Sequence, residues 1–422
     1  MKPNIVFFVD HKYRDMMSLS KIAYSLRKKN NIFFLSNLHF NLISLFDYAI
    51  LLKPQLPDNL VKEINDNIIK TKIFIIPSEG MLQDDGVAIP SFLPYCWFHW
   101  SDYEKNKYRK YEIEKNVEMK SLGCQRIEFI TDKKSRDMIL DFYKFEELKN
   151  KKITIASSLH ECFFDKDTLR KKKERLKKHY SKSLDYDLYV KNSNLLLERL
   201  TKNLIILCKK YKNYKFILRP HPNEKIDFWI DFKNKLNSKN FDLDLGSNIV
   251  NLITSSSLHI SLNGCTTTVE AKLANIPTLE LHTIYSEKLY HGDHLNIADY
   301  ISYTESDILV PFNDMQKNKL INKKINHLYL KKYFNNALSL NTKKYSEEIQ
   351  KRLIPIQNNK ISRLFNLFKI NLVLNKYKFF DILKVIKFSN KNQNIGKFDH
   401  RIKFNEHKIF FRFFNKHNLD RN

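Results

Sequence analysis

The chain has 422 residues, too many for one ordinary hydrophobic core, so its length predicts two domains and an additional segment. It carries 73 Lys and Arg against 46 Asp and Glu, a net charge of +27, which indicates an anionic partner. The five cysteines are scattered, with no Cys-x-x-Cys or Cys/His cluster, and support neither a disulfide framework nor a zinc site.

The first 150 residues alternate short apolar runs with amphipathic segments. The predicted strands are NIVFFVD, NIFFLS, YAILLK and KIFIIPSEG, and the predicted helices are MSLSKIAYSLRKKN and LPDNLVKEINDNI. Continuous apolar strands that alternate with helices are typical of a parallel sheet covered on both faces. No apolar run reaches the length of a signal peptide or a membrane span, so we expect a cytoplasmic location.

The same pattern restarts near Lys151. The predicted strands are KKITIASSLH, KFILRPHP, LHISLNG and IPTLELH, and KNSNLLLERLTKNLIILCKKY is a long amphipathic helix. The chain therefore predicts two α/β units in series. From Lys317 to about Pro355 it is helical and charged.

Polar clusters follow several of these strands. Because parallel α/β sheets bind ligands at the carboxyl ends of their strands, these clusters are candidate site residues. They are Ser157-Ser158, Arg219-Pro220-His221-Pro222, Asn263 to Thr278, and Pro77 to Gly86 with its PSEG and QDDG segments.

The cluster after HISL predicts a phosphate site at a helix start. Asn263-Gly264 gives a tight turn, and Thr266, Thr267 and Thr268 can cap the helix VEAKLA. Unpaired N–H groups, hydroxyls and the positive end of the helix dipole suit a phosphate. Ordinary helix capping is the alternative interpretation. The chain contains neither GxGxxG nor GxxxxGK[ST], so neither a dinucleotide fingerprint nor a P-loop is present.

The R-P-H-P segment supplies a complementary group. Pro220 and Pro222 fix their own φ and bias the preceding residues to extended backbone, so His221 is held in one direction. An imidazole beside a leaving phosphate can donate a hydrogen bond or, when protonated, neutralise charge. Arg219 can contact a phosphate, or it can pair with Glu224 or Glu270 for structural reasons.

R-P-H-P followed by SLNGCTTTVEAKLANIPTLEL resembles bacterial glycosyltransferases of the GT-B fold that build surface carbohydrates. In that group a His-Pro motif and a Ser/Thr-rich helix start hold the phosphate of a CMP-activated sugar. The group includes polysialyltransferases and the retaining Kdo transferases of capsule and O-antigen assembly. CDP-glycerol glycerophosphotransferases share a similar layout. The match is strongest from Lys151 to His282.

The resemblance implies an α/β fold of the GT-B type, with two Rossmann-like domains facing across a cleft. Residues 1–150 would be the acceptor domain and 151–310 the nucleotide-sugar domain. Residues 311–355 would be helices that pack back across the domains, and 356–422 a basic aromatic tail.

The resemblance also implies the site residues. The donor nucleotide and its phosphate would be bound by Ser157, Ser158, Arg219, His221, Asn263, Thr266, Thr267, Thr268 and Glu270. Glu270 would face the ribose, and the catalytic residues would be Glu79, Asp85 and His221. Asp85 lies in QDDGV, which looks like the acidic motif of bacterial sialyltransferases, whereas Glu79 directly ends a predicted strand, so either can be the base. This chain has Thr where relatives often have Ser.

The expected reaction transfers Kdo, sialic acid or a related nonulosonic acid from a CMP-sugar to a surface polysaccharide or glycolipid. CMP-sugar is a substrate here, and no cofactor is expected. No DxD motif is evident near a strand end except the weak candidate DLDLG, so we expect no metal requirement. The runner-up is a CDP-glycerol-type polyol phosphotransferase, which would use the same phosphate site.

The last 67 residues mix aromatics with 15 Lys and Arg against four acids. This composition predicts either a solvated basic helix with an apolar packing face or an amphipathic segment on the anionic inner face of the cytoplasmic membrane. In the membrane interpretation, the side chains that insert are Phe365, Leu367, Phe368, Leu372, Phe379, Phe380, Phe410, Phe411, Phe413 and Phe414.

Two other classes of protein are alternatives to an enzyme. The first is a basic nucleic-acid-binding protein, which would explain the charge. However, no RNA- or DNA-binding signature appears and R-P-H-P stays unexplained, so we expect no nucleic-acid partner. The second is a non-catalytic scaffold with a degenerate GT-B fold.

Overall fold

The structure is a computed structural model that describes residues 2–78, 91–109, 117–142, 151–179, 185–262, 264–289, 292–354, 368–370, 372 and 407–416. The predicted domain boundary at residue 150 adjoins residues outside these ranges. The predicted domain limits therefore stay predictions.

The first half of the chain forms a parallel six-stranded sheet in the order β2-β1-β3-β4-β5-β6. Alternate side chains of β1 enter different cores, Ile5 and Phe7 on one face and Val6 and Phe8 on the other. This burial on both faces explains why the strand is a continuous apolar run. The strands are β1 (Asn4–Val9), β2 (Asn31–Ser36), β3 (Tyr48–Leu51), β4 (Lys72–Ile75), β5 (Cys96–His99) and β6 (Glu118–Ser121).

The second half forms another parallel six-stranded sheet, in the order β12-β11-β10-β7-β8-β9. Its strands are β7 (Lys152–Ala156), β8 (Lys215–Arg219), β9 (Phe241–Leu243), β10 (Leu258–Leu262), β11 (Thr278–Leu281) and β12 (Tyr300–Ser302). One face is covered by the apolar stripe of a long helix, residues 186–210, whose buried leucines recur at helical spacing. They are Leu196, Leu200, Leu204 and Leu207.

Helices connect and cover the strands of both sheets. In the first half they are α1 (Lys12–Leu26), α2 (Asp58–Asn65), α3 (Asp102–Arg109), α4 (Glu128–Thr131) and α5 (Lys133–Phe142). In the second half they are α6 (Lys166–His179), α7 (Tyr186–Lys210), α8 (Ile226–Leu236), α9 (Ile249–Thr254), α10 (Thr266–Leu273), α11 (Ser286–Leu289), α12 (Gly292–Leu295), α13 (Val310–Gln316) and α14 (His327–Phe334).

The next helix, α15 (Asn341–Arg352), returns to the first half and packs on α1. Tyr345 is fully buried there, and its hydroxyl donates to the Gly123 carbonyl at 2.9 Å. At the start of α15 the Thr342 N–H donates to buried Glu128 at 2.8 Å. Two parallel sheets in two Rossmann-like units, joined by such a returning helix, confirm the predicted α/β fold class of the GT-B type.

The last described helix, α16 (His407–Lys416), also packs on α1. Phe410 and Phe414 are buried in the core of the first half, and the Tyr24 hydroxyl donates to Asn415 Oδ1 at 2.7 Å. The expectation that these two rings insert into a membrane is therefore wrong, because the first half already covers them. Phe365, Leu367, Phe379 and Phe380 lie outside the described residues.

Within the described ranges, no helix has both the length and the apolar character needed to cross a membrane.

Candidate functional site

Three loops with predicted site residues converge at one edge of the second sheet. Strand β7 lies between β8 and β10, with Ala156 opposite Arg219 and Ile155 opposite Ile260. Because the three strands are parallel, the loops after residues 156, 219 and 262 leave from the same edge. The first, second and third predicted clusters are therefore brought together.

Ser157 holds a buried carboxylate. Its hydroxyl donates to Glu224 Oε2 at 2.8 Å, and Trp229 Nε1 donates to the same oxygen at 2.7 Å. The Leu159 N–H donates to Glu224 Oε1 at 2.7 Å. Burial raises the pKa of Glu224 although these donors oppose the shift. Ser157 thus has a structural partner, which weakens its expected role as a phosphate ligand, whereas Ser158 is partly exposed.

Arg219 pairs with an aspartate that sequence analysis did not single out as its partner. Its Nη1 lies 3.1 Å from Asp244 Oδ1, which also accepts from the Gly246 and Ser247 N–H groups at 2.9 Å each. Burial opposes ionisation of Asp244, but Arg219 and the donors from Ser247 and Gly246 outweigh it and hold the pKa below its ordinary value. The proposed structural partners Glu224 and Glu270 were therefore wrong, and this ion pair fixes Arg219 beneath the loop after β8.

His221 is oriented by backbone and by a second histidine. Its Nδ1 accepts from the Asn223 N–H at 3.3 Å, so the proton of the neutral ring resides on Nε2. Its ring stacks on the His160 ring, with centroids 4.7 Å apart and planes at 25°. Sequence analysis assigned no partner to His160, because the two histidines become neighbours only when β7 and β8 pair.

The threonines after β10 begin α10 but do not cap it. Cys265 is the N-cap and its side chain makes no capping hydrogen bond. Thr268 is buried, and its hydroxyl lies 2.6 Å from Ser261 Oγ and contacts Glu280 Oε1. Thr267 Oγ1 lies 3.0 Å from His259 Nε2. The predicted capping role is therefore wrong. The Thr267 and Thr268 side chains instead bind residues of β10 and β11. Of the three threonines, Thr266 is the one that is partly exposed without such a contact.

Glu280 supports this helix start from the next strand. It is fully buried and accepts from the Gly264 N–H at 3.1 Å and from His282 Nε2 at 2.9 Å. Gly264 has φ +66°, and a Cβ there would lie 3.1 Å from His294 Cβ. Glycine is therefore required for this turn. The alternation of residues along β11, which places Glu280 and His282 on one side, is the sequence signal that predicts their pairing.

Glu270 faces the first half of the chain. Its Oε1 lies 3.5 Å from Arg126 Nη1, and both side chains are buried. Burial raises the pKa of Glu270, while Arg126 and Arg14 oppose that shift. Among the residues that the structure describes, none forms a hydrogen bond with Glu270 Oε2.

A narrow cavity between the two halves adjoins this pair. Its lining residues from the first half are Arg14, Met17, Ser18, Arg126, Phe129 and Ile139, and those from the second half are Asn248, Ile249, Val250 and Glu270. Arg126 was not predicted as a site residue, since it ends no strand and belongs to no motif.

Glu79, Asp85 and Asn263 lie outside the described residues. The chain is fixed just before Glu79, however. The Pro77 carbonyl accepts from Trp100 Nε1 and from Gln125 Nε2, each at 3.1 Å. Among the residues that the structure describes, no group of three or more His, Cys, Asp or Glu is arranged to hold a metal ion.

The sequence matches no protein-family model, and a comparison with curated protein sequences finds no significant match. Solved structures similar to this chain include the Anabaena protein Alr3699/HepE in complex with UDP-glucose, with 10% identity and a TM-score of 0.43 over 83% of this chain and 100% of that one. The wall teichoic acid polymerase TagF H548A is 13% identical, with a TM-score of 0.49 over 83% of this chain and 88% of that one. A UDP-N-acetylglucosamine 2-epimerase described as putative, from Listeria monocytogenes, is 8% identical, with a TM-score of 0.47 over 83% and 95%.

Proposed function

We propose that this protein is a glycosyltransferase that transfers Kdo, sialic acid or a related nonulosonic acid from a CMP-activated donor to a growing surface polysaccharide or glycolipid. The observation that carries the proposal is the convergence of His221 and the start of α10 at one sheet edge. The resemblance of R-P-H-P and the threonine-rich helix start to CMP-sugar users supports the choice of donor.

The two groups suit one phosphate. Strands β8 and β10 flank β7, so their ends are about 10 Å apart at the usual strand spacing. A phosphate between them would accept a hydrogen bond from His221 Nε2 and would face the positive end of the α10 dipole. These contacts strengthen as the phosphate departs and takes the electron pair of the broken anomeric C–O bond.

Glu270 is proposed to bind the ribose hydroxyls through Oε2. At 3.5 Å the Arg126 guanidinium leaves no room for a hydroxyl group between itself and Oε1, so the ribose must approach from the Oε2 side or displace Arg126. Binding of the nucleotide would thus act directly on an ion pair that joins the two halves of the chain.

The acceptor side is proposed to use Glu79 or Asp85 as the base. The acceptor oxygen bonds to the anomeric carbon while its proton passes to the carboxylate. Glu79→Gln and Asp85→Asn separate charge from shape, and one of them should lose kcat while CMP binding stays unchanged. Full activity in both variants would place the base elsewhere. We expect activity to persist in excess EDTA, because the protein itself supplies the positive groups for the phosphate.

The deciding experiment is a panel of CMP-sugars with synthetic lipid-linked acceptors, read by mass spectrometry, with CDP-glycerol in a parallel arm. Transfer from a CMP-sugar that is lost in His221→Ala supports the proposal. Transfer of glycerol phosphate from CDP-glycerol alone would replace it with the phosphotransferase alternative. Failure to bind CMP in calorimetry would favour a non-catalytic scaffold.

A further inference from the structure

Two histidines from neighbouring loops form a packed unit at the proposed phosphate site. His160 begins the short turn His160–Phe163 after β7, and His221 follows β8. The rings overlap, with centroids 4.7 Å apart and an interplanar angle of 25°. The Phe164 ring contacts the His160 ring edge-on, with centroids 5.8 Å apart, and so helps to hold the His160 ring in place.

A buried carboxylate fixes the His160 ring. Its Nε2 lies 2.7 Å from Glu161 Oε1, and Glu161 is 3% exposed. Lys172 of α6 lies 2.8 Å from the same oxygen. Burial opposes ionisation of Glu161, but His160 and Lys172 outweigh it and hold its pKa below the ordinary value. The negatively charged carboxylate of Glu161 is therefore in contact with the His160 ring nitrogen.

We propose that His160 is a positioning residue for His221: its ring, held in place by Glu161, fixes the orientation of the His221 imidazole. The inference rests on the proposed role of His221 at the leaving phosphate. A ring packed against the face of an imidazole restricts the rotation of that imidazole about its side-chain bonds. The carboxylate of Glu161 contacts His160, so it fixes the ring against which His221 packs.

Other groups also surround His160. Lys172 shares the Glu161 oxygen that His160 contacts. Buried Glu224 interacts electrostatically with His160 from the loop after β8. Because Glu161 contacts the ring nitrogen, its replacement should release the His160 ring most directly.

The first test measures His221 without any substrate. In protein labelled with ¹⁵N-histidine, the His221 signals are assigned by their loss in His221→Ala. The wild type should show the Nε2–H tautomer of His221. In His160→Ala the His221 signals should shift to those of a mobile imidazole, which is a mixture of the Nδ1–H and Nε2–H tautomers. Glu161→Gln should cause part of the same shift in tautomer, because it loosens the His160 ring. An unchanged His221 tautomer in both variants would overturn the proposal.

The second test separates ring packing from general loss of structure. His160→Phe keeps a flat ring in the stack and should retain kcat within about threefold, whereas His160→Ala should lose up to about 10²-fold with little change in donor KM. His327→Ala, at an exposed histidine far along the chain, is the matched control and should behave as wild type. Equal activity of His160→Ala and wild type, or equal loss in His160→Phe and His160→Ala, would contradict positioning by the ring. If no CMP-sugar is turned over even by the wild type, the proposed function fails, and the ¹⁵N measurement still decides the role of His160.

Discussion

The polar residues at the proposed phosphate site divide into two groups by what they contact. Ser157 and Thr268 are bound to the buried carboxylates of Glu224 and Glu280, and Arg219 is bound to the partly buried carboxylate of Asp244. Replacing one of these three residues removes one hydrogen bond to a charged group, which costs about 1.5–3 kcal/mol of stability. Variants of these residues therefore report on folding as well as on binding.

His221 is the better probe of the chemistry, because it is partly exposed. His221→Ala should reduce kcat by about 10²–10³-fold, the usual effect of losing one preorganised donor to a developing charge. The measurement is turnover of the CMP-sugar identified in the panel, with thermal unfolding to verify the fold. His327→Ala is the control, and near-normal turnover of His221→Ala would show that the phosphate lies elsewhere.

At the scale of elements, sequence patterns predicted the central strands of both sheets. All eight predicted strands are present, because β1–β4, β7, β8, β10 and β11 are short apolar runs that need burial on both faces. The other strands, β5, β6, β9 and β12, were not predicted. Strands β9 and β12 are only three residues long and β6 reads EMKS, so these three lack a clear apolar run, whereas β5 reads CWFH and is a buried run that the prediction overlooked.

The candidate site was predictable to the level of loops but not of contacts. Strand-end polarity placed the clusters around Ser157, His221 and Thr266 at one edge. The pairs Arg219–Asp244, His160–His221 and Arg126–Glu270 depend instead on strand order and on how the two halves meet. A single sequence carries no local signal for such contacts, since the partners are far apart along the chain.

Strand β10 links the stability of the sheet to pH through His259. This residue is fully buried between Thr154 and Thr267, and burial lowers its pKa from 6.5 to about 3. Between these pH values only the unfolded chain binds the proton, so the free energy of unfolding should fall as pH decreases below about 6.5, by up to about 1.4 kcal/mol per pH unit. His259→Gln removes this titration and should flatten the slope.

Urea unfolding of wild type and His259→Gln at several pH values between 4 and 7.5 measures that difference. His327→Gln is the matched control: His327 is an exposed histidine, and its replacement should leave the slope unchanged. A slope in His259→Gln equal to that of the wild type would mean that His259 is protonated in the folded protein.

At the scale of the whole molecule, the C-terminal segment is partly built into the first half. Phe414 is fully buried against α1, and its ring meets Tyr24 edge-on with centroids 5.4 Å apart. Phe414→Ala should therefore lower the free energy of unfolding by about 3–5 kcal/mol. Ile409→Ala on the exposed side of the same helix should change it little. Equal stability of the two variants in denaturant titrations would show that α16 does not pack in solution.

The outer side of the C-terminal segment keeps features suited to a membrane surface. Phe368 and Leu372 are exposed beside Lys369, and Ile409 is exposed beside Lys408 and Arg412. These are two separate patches, because the first adjoins the core on one face of the first sheet and the second adjoins the core on the other face. Apolar side chains flanked by cations bind anionic bilayers through insertion and through charge attraction that salt screens within about 8 Å. We therefore expect the full chain to co-sediment with phosphatidylglycerol vesicles, and binding to weaken at high ionic strength.

Truncation after Pro355 is a poor test of this expectation, because it also removes the buried rings of α16 and destabilises the first half. Side-chain variants avoid that problem. Replacing Phe368, Leu372 and Ile409 together by serine should reduce vesicle binding several-fold while leaving the unfolding temperature unchanged, since none of the three is buried. The matched control replaces Ile68, Ile284 and Leu328, equally exposed apolar residues elsewhere, and should bind as wild type. Equal sedimentation of both triple variants and the wild type would show that the outer side of the segment does not contact lipid. The net charge of +27 would then have to act on the acceptor instead, as attraction for an acidic polysaccharide along the surface of the protein.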